Sequence, residues 1–326
     1  MEKLLQLESE VQKKKEKVLQ PIAEMLAVDL GRGPKEASRL PMVLFLGNHS
    51  SGKSTFINHL IGTERQKTGL APTDDGFTVL AHGDTVDELD GQSAASHPKL
   101  ALGRLEKLGP RFLSRFRLKV QPADILKTVN LVDSPGMIDA AATSEGRGYD
   151  FAASVREFAE MADLILFFFD PDKPGTTGET VSIFTERLVG MEHKILIVLN
   201  KVDLFSNIRD FARTYGTLCW NLSKTMNTKD VPHIFNAYIP GLKDADGGGE
   251  TLPLEDFDQS REEIESEIRR ASTRRADNLV SDLLQEGRRL AMHGKVAEAV
   301  LKHYRSLQTR FLAGAVEDFR HPGNLR

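Results

Sequence analysis

Residues Gly47-Asn48-His49-Ser50-Ser51-Gly52-Lys53-Ser54 have the spacing GxxxxGK[ST] and follow an apolar run at residues 42–46. Between a strand and a helix, that spacing is chemistry for a phosphate. The glycines let backbone N–H groups wrap an anion, and the helix N-terminus adds partial positive charge. The lysine reaches the β/γ-phosphates and the hydroxyl ligates Mg²⁺. Lys53 and Ser54 take those last two roles, and Thr55 completes the nucleotide-contacting stretch that starts at Gly47.

Two further motifs share that chemistry. Asp133-Ser134-Pro135-Gly136 follows the short run at 129–132. In a DxxG arrangement, the aspartate at a strand end holds Mg²⁺ through water and the glycine N–H meets the γ-phosphate. Asn200-Lys201-Val202-Asp203 follows the apolar run at 195–199. Its asparagine stiffens the phosphate loop, and its aspartate can accept two hydrogen bonds from a purine's ring N–H and exocyclic amine. Alone, DxxG or NKxD is usually a turn. In this order, each after a largely apolar strand, the three describe a G-domain-like nucleotide switch.

The remaining switch element is a loop that closes over the nucleotide. Ala71-Pro72-Thr73-Asp74-Asp75-Gly76 supplies it, with Thr73 as its only hydroxyl before Thr78. Thr73 either coordinates Mg²⁺ and senses the γ-phosphate, or orders a turn. No glutamine follows Gly136; Met137 and Ile138 stand where a Ras-like enzyme places its water-orienting group. Water activation then comes from elsewhere, or hydrolysis is slow.

The elements that must position these residues are legible as patterns. From Pro41 to about Pro240, fully apolar strands alternate with helices, the signature of a doubly wound α/β sheet with parallel strands. Residues 1–40 form an N-terminal helical segment interrupted at Pro21, 41–245 the G domain, and 250–326 a C-terminal helical segment. The flanking helices are expected to pack together as a helical domain. The C-terminal buried stripe is read as Ile264, Ile268, Leu279, Leu283, Leu284, Val296, Val300 and Leu301. Composition fits this plan: 326 residues, 40% hydrophobic and 28% charged, bury an α/β core with a second element to spare. One cysteine, Cys219, excludes an internal disulfide framework and suits a reducing compartment. The charged N-terminus does not read as a signal peptide, and no apolar run nears the ~20 residues that span a bilayer. A net charge of −4 argues against nonspecific nucleic-acid binding.

Longer strings resemble one family, the EH-domain-containing (EHD) proteins, dynamin-related ATPases that remodel membranes. They are Arg147-Gly148-Tyr149-Asp150-Phe151-Ala152, Tyr215-Gly216-Thr217-Leu218 with Trp220, and Pro72-Thr73 with Phe77. The resemblance implies a dynamin-type P-loop G domain that binds Mg²⁺ with ATP, GTP being the alternative. It implies a homodimer through the G domain, with Trp220 at the interface, and oligomers on anionic membranes. The location it implies is cytoplasmic and peripheral, on endosomal or plasma membrane. From the residues alone, Trp220 is either an exposed anchor or a core tryptophan. No Ser-Ala-Lys loop presents an N–H to guanine O6 after Asp203, which favours ATP, whereas Asp203 itself suits guanine's donors.

Three departures from the family stand out. Asp74 replaces the second threonine of Pro-Thr-Thr-Asp, as a metal ligand or a charge that repels the phosphate. Asn48 and His49 replace the usual glutamine and tyrosine. The chain stops at Arg326 without the calcium-binding EH module, as expected of a branch that lacks it or of a shortened form. The family's lipid-binding tip matches about 288–310. Residues 288–326 carry eight Lys/Arg, including Lys302 and Arg305, against three acids, a net of +5. That charge either meets an anionic leaflet or is a solvated helix face. Two other readings remain open: a nucleotide-gated binding switch with little turnover, and a soluble scaffold that uses nucleotide structurally.

Overall fold

A computed structural model of the chain describes residues 2–28, 40–64, 66, 76–98, 100–137, 147–172, 178–225, 233–240 and 254–320. Its principal helices are α1 (Glu2–Lys14), α2 (Gln20–Met25), α3 (Lys53–Ile61), α4 (Phe151–Met161), α5 (Gly178–Ser182), α6 (Ile208–Thr225), α7 (Glu255–Arg269) and α8 (Ala271–Arg320). Its strands are β1 (Met42–Gly47), β2 (Thr78–His82), β3 (Asp87–Asp90), β4 (Arg117–Gln121), β5 (Asn130–Asp133), β6 (Leu164–Phe169), β7 (Ile195–Leu199) and β8 (Ile234–Asn236). Two units divide inside α8: residues 34–275, and residues 1–33 with 276–326.

In the larger unit the strands form one sheet in the order β3-β4-β2-β5-β1-β6-β7-β8. The run from β5 to β8 is parallel, as the apolar strands predict. Beyond β5 the sheet is mixed: β2 runs antiparallel to β5, β4 parallel to β2, and β3 antiparallel to β4. The polar β3, Asp-Glu-Leu-Asp, tolerates that edge because most of it faces water.

Period-two alternation divides the long apolar runs between two cores. Leu44, Leu46, Phe167 and Phe169 enter one cluster, and Val43, Phe45, Leu166 and Phe168 the other. Phe56 of α3 meets Phe168 edge-on, with ring centroids 5.3 Å apart, and so seats the phosphate-loop helix on the sheet. Each fully buried phenylalanine of this kind stabilises by roughly 1.5–3 kcal/mol.

The sequence placed residues 250–326 in one helical segment, but α7 packs with the G domain. Its Ile264 and Ile268 are fully buried in the cluster that holds Phe45 and Phe56, and Phe257 joins the opposite one. Asp258 accepts from Tyr238 Oη at 2.7 Å, fastening α7 to the chain just past β8, and from Arg261 Nη1 of its own helix at 2.7 Å.

The smaller unit packs α2 and the turn before it against α8, and the expected packing of the flanking helices is present in it. Ala23 and Leu290 form its centre, with Leu19, Leu26 and Val28 against them, and Lys15 pairs with Glu286. The helix break lies just before Pro21, in a wide π-helical turn at Lys15–Leu19. Proline cannot donate the bond an α-helix requires there, and a π turn absorbs the loss. The predicted C-terminal stripe holds only in part. Leu284, Val296, Val300 and Leu301 are exposed.

Candidate functional site

Parallel neighbours bring the three motifs to one sheet edge, since Gly47, Asp133 and Asn200 all lie at or just past carboxyl ends of β1, β5 and β7. Ligands of open α/β sheets bind at such ends. The loop is stiffened across the sheet: Asn200 Nδ2 donates to Ser51 O at 2.9 Å. Gly52 has φ +89°, and a Cβ there would lie 2.1 Å from Asn200 Nδ2, so only glycine fits. Gly52 has no side chain to cap α3, which leaves the helix's first N–H groups for an anion.

Lys53 is buried and donates from Nζ to Gly47 O at 3.1 Å and Asn48 O at 3.0 Å. Burial pushes its pKa down to about 8; Asp133 opposes the shift, while Arg147 and Lys201 add to it. A phosphate would restore the full charge. Ser54 Oγ donates to Asp133 Oδ2 at 2.7 Å, so the hydroxyl and carboxylate proposed for Mg²⁺ already touch. Among the described residues no cluster of three His, Cys, Asp or Glu could hold a metal alone. A hydroxyl and a single carboxylate instead fit Mg²⁺, which completes its shell with phosphate oxygens and water.

The DxxG segment docks on the phosphate loop. His49 N–H donates to Met137 O at 2.9 Å, and Met137 N–H to Gly47 O at 3.1 Å. A Cβ on Gly136 would lie 2.5 Å from His49 Cα. Met137 is 1% exposed, so the position after the motif carries a buried apolar side chain. On the base side, Asp203 is buried in a short 3-10 turn and Lys201 bonds Asp170 Oδ2 at 2.7 Å. Lys201 reaches this contact from a left-handed backbone, φ +59°.

With this geometry in place, three comparisons identify the relatives. A family model described as a 50S ribosome-binding GTPase matches residues 42–201. Human EH domain-containing protein 1 is 31% identical over 268 residues, 80% of this chain and 48% of that protein. Human EH domain-containing protein 2 is 36% identical over 200 residues, 60% of this chain and 36% of its own length. Over its G domain the chain is similar to the EH domain-containing proteins. The chain spans about half the length of the curated relatives it matches. A solved chain from an oligomerised bacterial dynamin pair, at 14% identity, covers 99% of this chain and 51% of that one with a TM-score of 0.49.

Around this EHD-type site the remaining sequence expectations divide. Ser50, with φ +62°, bonds its hydroxyl to His49 Nδ1 at 2.8 Å, and Thr55 is half-buried. Thr73 and Asp74 lie outside the described residues. Trp220 is 64% exposed on α6, with Lys224 Nζ 4.7 Å from its ring, so the core alternative falls. Lys302 and Arg305 are exposed on α8.

Several contacts around the site carry no motif. Arg147 stacks on Phe151, donates to Gly136 O at 2.7 Å and pairs with Glu179 at 2.9 Å. Thr180 donates to Asn48 Oδ1 at 2.8 Å. Gln66 donates to Asp133 Oδ2 at 2.8 Å. Only Arg147 had a signal, as the first residue of a family string; the others are reached across the fold.

Proposed function

We propose that this chain binds a Mg²⁺–purine nucleoside triphosphate, hydrolyses it slowly, and uses the cycle to assemble on membranes. The contact of Ser54 Oγ with Asp133 Oδ2 at 2.7 Å, beside the buried Lys53, carries the reading. Ser54 and Asp133 would hold Mg²⁺, which when bound neutralises charge developing on the phosphoryl oxygens. Lys53 orients the β/γ-phosphates, Asn200 keeps the loop rigid, Arg147 holds the Gly136 carbonyl, and the Gly136 N–H would meet the γ-phosphate.

Slow turnover is supported by Met137, buried where a water-orienting side chain would stand. The same observation favours a second reading, a nucleotide-gated binding switch with little hydrolysis. ATP is preferred over GTP: Ala237, first past β8, commits its N–H to Leu199 O at 2.9 Å and its O to Val202 N–H at 3.2 Å. The Ala237 N–H, already bonded, offers no donor to guanine O6.

The exposed Trp220 supports dimerisation through G domains. The exposed Lys302 and Arg305 support contact with anionic lipid. Among the described residues no helix is long and apolar enough to cross a membrane, so the proposed contact is peripheral. Titration with labelled ATP and GTP, with and without anionic liposomes, tests the whole proposal. Mg²⁺-dependent ATP binding with lipid-stimulated turnover is expected. No nucleotide binding, or GTP at least roughly tenfold tighter (about 1.4 kcal/mol), would reverse it.

A further inference from the structure

Asp133 is gripped from a side that none of the three motifs mentions. Gln66 is 4% exposed and donates from Nε2 to Asp133 Oδ2 at 2.8 Å. The same oxygen takes the Ser54 hydroxyl at 2.7 Å. At its other end, Gln66 Oε1 accepts from Lys119 Nζ at 2.6 Å. An ammonium only donates, so the amide is fixed with its oxygen towards Lys119 and its NH₂ towards the carboxylate. Lys119 is itself 7% exposed, within β4.

The backbone of Gln66 is clamped as well. Its N–H donates to Asn58 Oδ1 at 2.8 Å, and Asn58 Nδ2 donates back to Gln66 O at 2.8 Å. Asn58 lies on α3, one turn beyond Ser54. Ser54 and Gln66, which donate to Asp133 Oδ2, are therefore fastened to the phosphate-loop helix, while Lys119 anchors the far side from the sheet. A buried amide held at both ends of its side chain and on both sides of its peptide has one orientation available.

We propose that Gln66 is a positioning residue for the metal-binding carboxylate: Lys119 locks the amide, and the amide holds Asp133 against Ser54 in the arrangement Mg²⁺ requires. The inference rests on reading the site as a Mg²⁺–nucleotide site and adds a source for its metal dependence. Partners that orient metal ligands typically contribute 10–100-fold to metal affinity. Gln66 touches no phosphate-loop atom in this network other than through Asn58 and Asp133, so its removal separates metal binding from phosphate binding.

The test titrates fluorescent ATP and GTP analogues into the chain at saturating Mg²⁺ and in excess EDTA. The ratio of the two affinities is the Mg²⁺ gain. Gln66→Met is expected to reduce that gain by about 10–100-fold and to leave the affinity in EDTA unchanged. The paired change Gln66→Met with Lys119→Met removes the amide and the ammonium together, avoiding a buried charge that has lost an acceptor. It is expected to melt near wild type and to show the same loss. Paramagnetic resonance of bound Mn²⁺ reports the metal directly, and the signal from the nucleotide complex should weaken in parallel. An unchanged gain in the paired variant overturns the proposal. So does an equal loss with and without metal, which marks a merely structural role. A wild-type protein that binds nucleotide with no Mg²⁺ gain overturns the site reading and this inference together, an outcome distinct from the other two.

Discussion

In the proposed site, Lys53 would link nucleotide binding to protons. Its pKa, lowered by burial to about 8 from 10.5, means the folded, empty protein gives up this proton before the unfolded chain does. Between those values the unfolded chain binds more protons, so this group's contribution to stability rises with pH across that window. Phosphate reverses the preference. Nucleotide binding above pH 8 should take up a proton, and affinity should fall by up to about tenfold per pH unit there. Calorimetry in two buffers of different protonation enthalpy reads the uptake as a difference in heat; identical heats would show that Lys53 stays charged. Lys53→Ala should abolish binding in a folded protein. Asp203→Asn should weaken GTP more than ATP, since guanine's two donors lose an acceptor, and competition titrations measure the difference. Most residues of the proposed nucleotide site were legible because each motif is contiguous and each follows a strand. Gln66 and Lys119 were not. They meet 53 residues apart in sequence, and nothing in the polar stretch around Gln66 marks it as buried.

At the scale of elements, the parallel half of the sheet was legible from unbroken apolar runs, whereas the reversal of β2 and β4 was not. Strand composition tells which faces are covered but not which way a strand runs. The same limit explains α7. Ile264 and Ile268 showed that a helix face is buried, and periodicity alone cannot say against what. Ile268→Ala should therefore destabilise the G domain by about 2–5 kcal/mol, while Leu284→Ala, exposed on α8, should stay within about 0.5 kcal/mol. Denaturant melts of both variants decide it. Near-equal effects would return α7 to the helical segment where the sequence placed it.

For the whole molecule, two units carry two proposed tasks with no shared side chains. Charge reversal at Lys302 and Arg305 should cost at least about tenfold in binding to anionic liposomes, more at low salt, and leave nucleotide affinity intact. Co-sedimentation unaffected by the reversal would remove α8 as the lipid contact. Trp220→Ala should instead spare that contact and reduce lipid-stimulated turnover. Trp220 also decides what the molecule emits. It is the one tryptophan in 326 residues, and it stands 64% exposed with an ammonium over its ring. Under ultraviolet excitation the protein should glow with the red-shifted, readily quenched spectrum of an indole in water, and heating should change that colour little. Two chains meeting at this face would shift the light to the blue, so self-association announces itself optically in a protein whose unfolding is nearly dark.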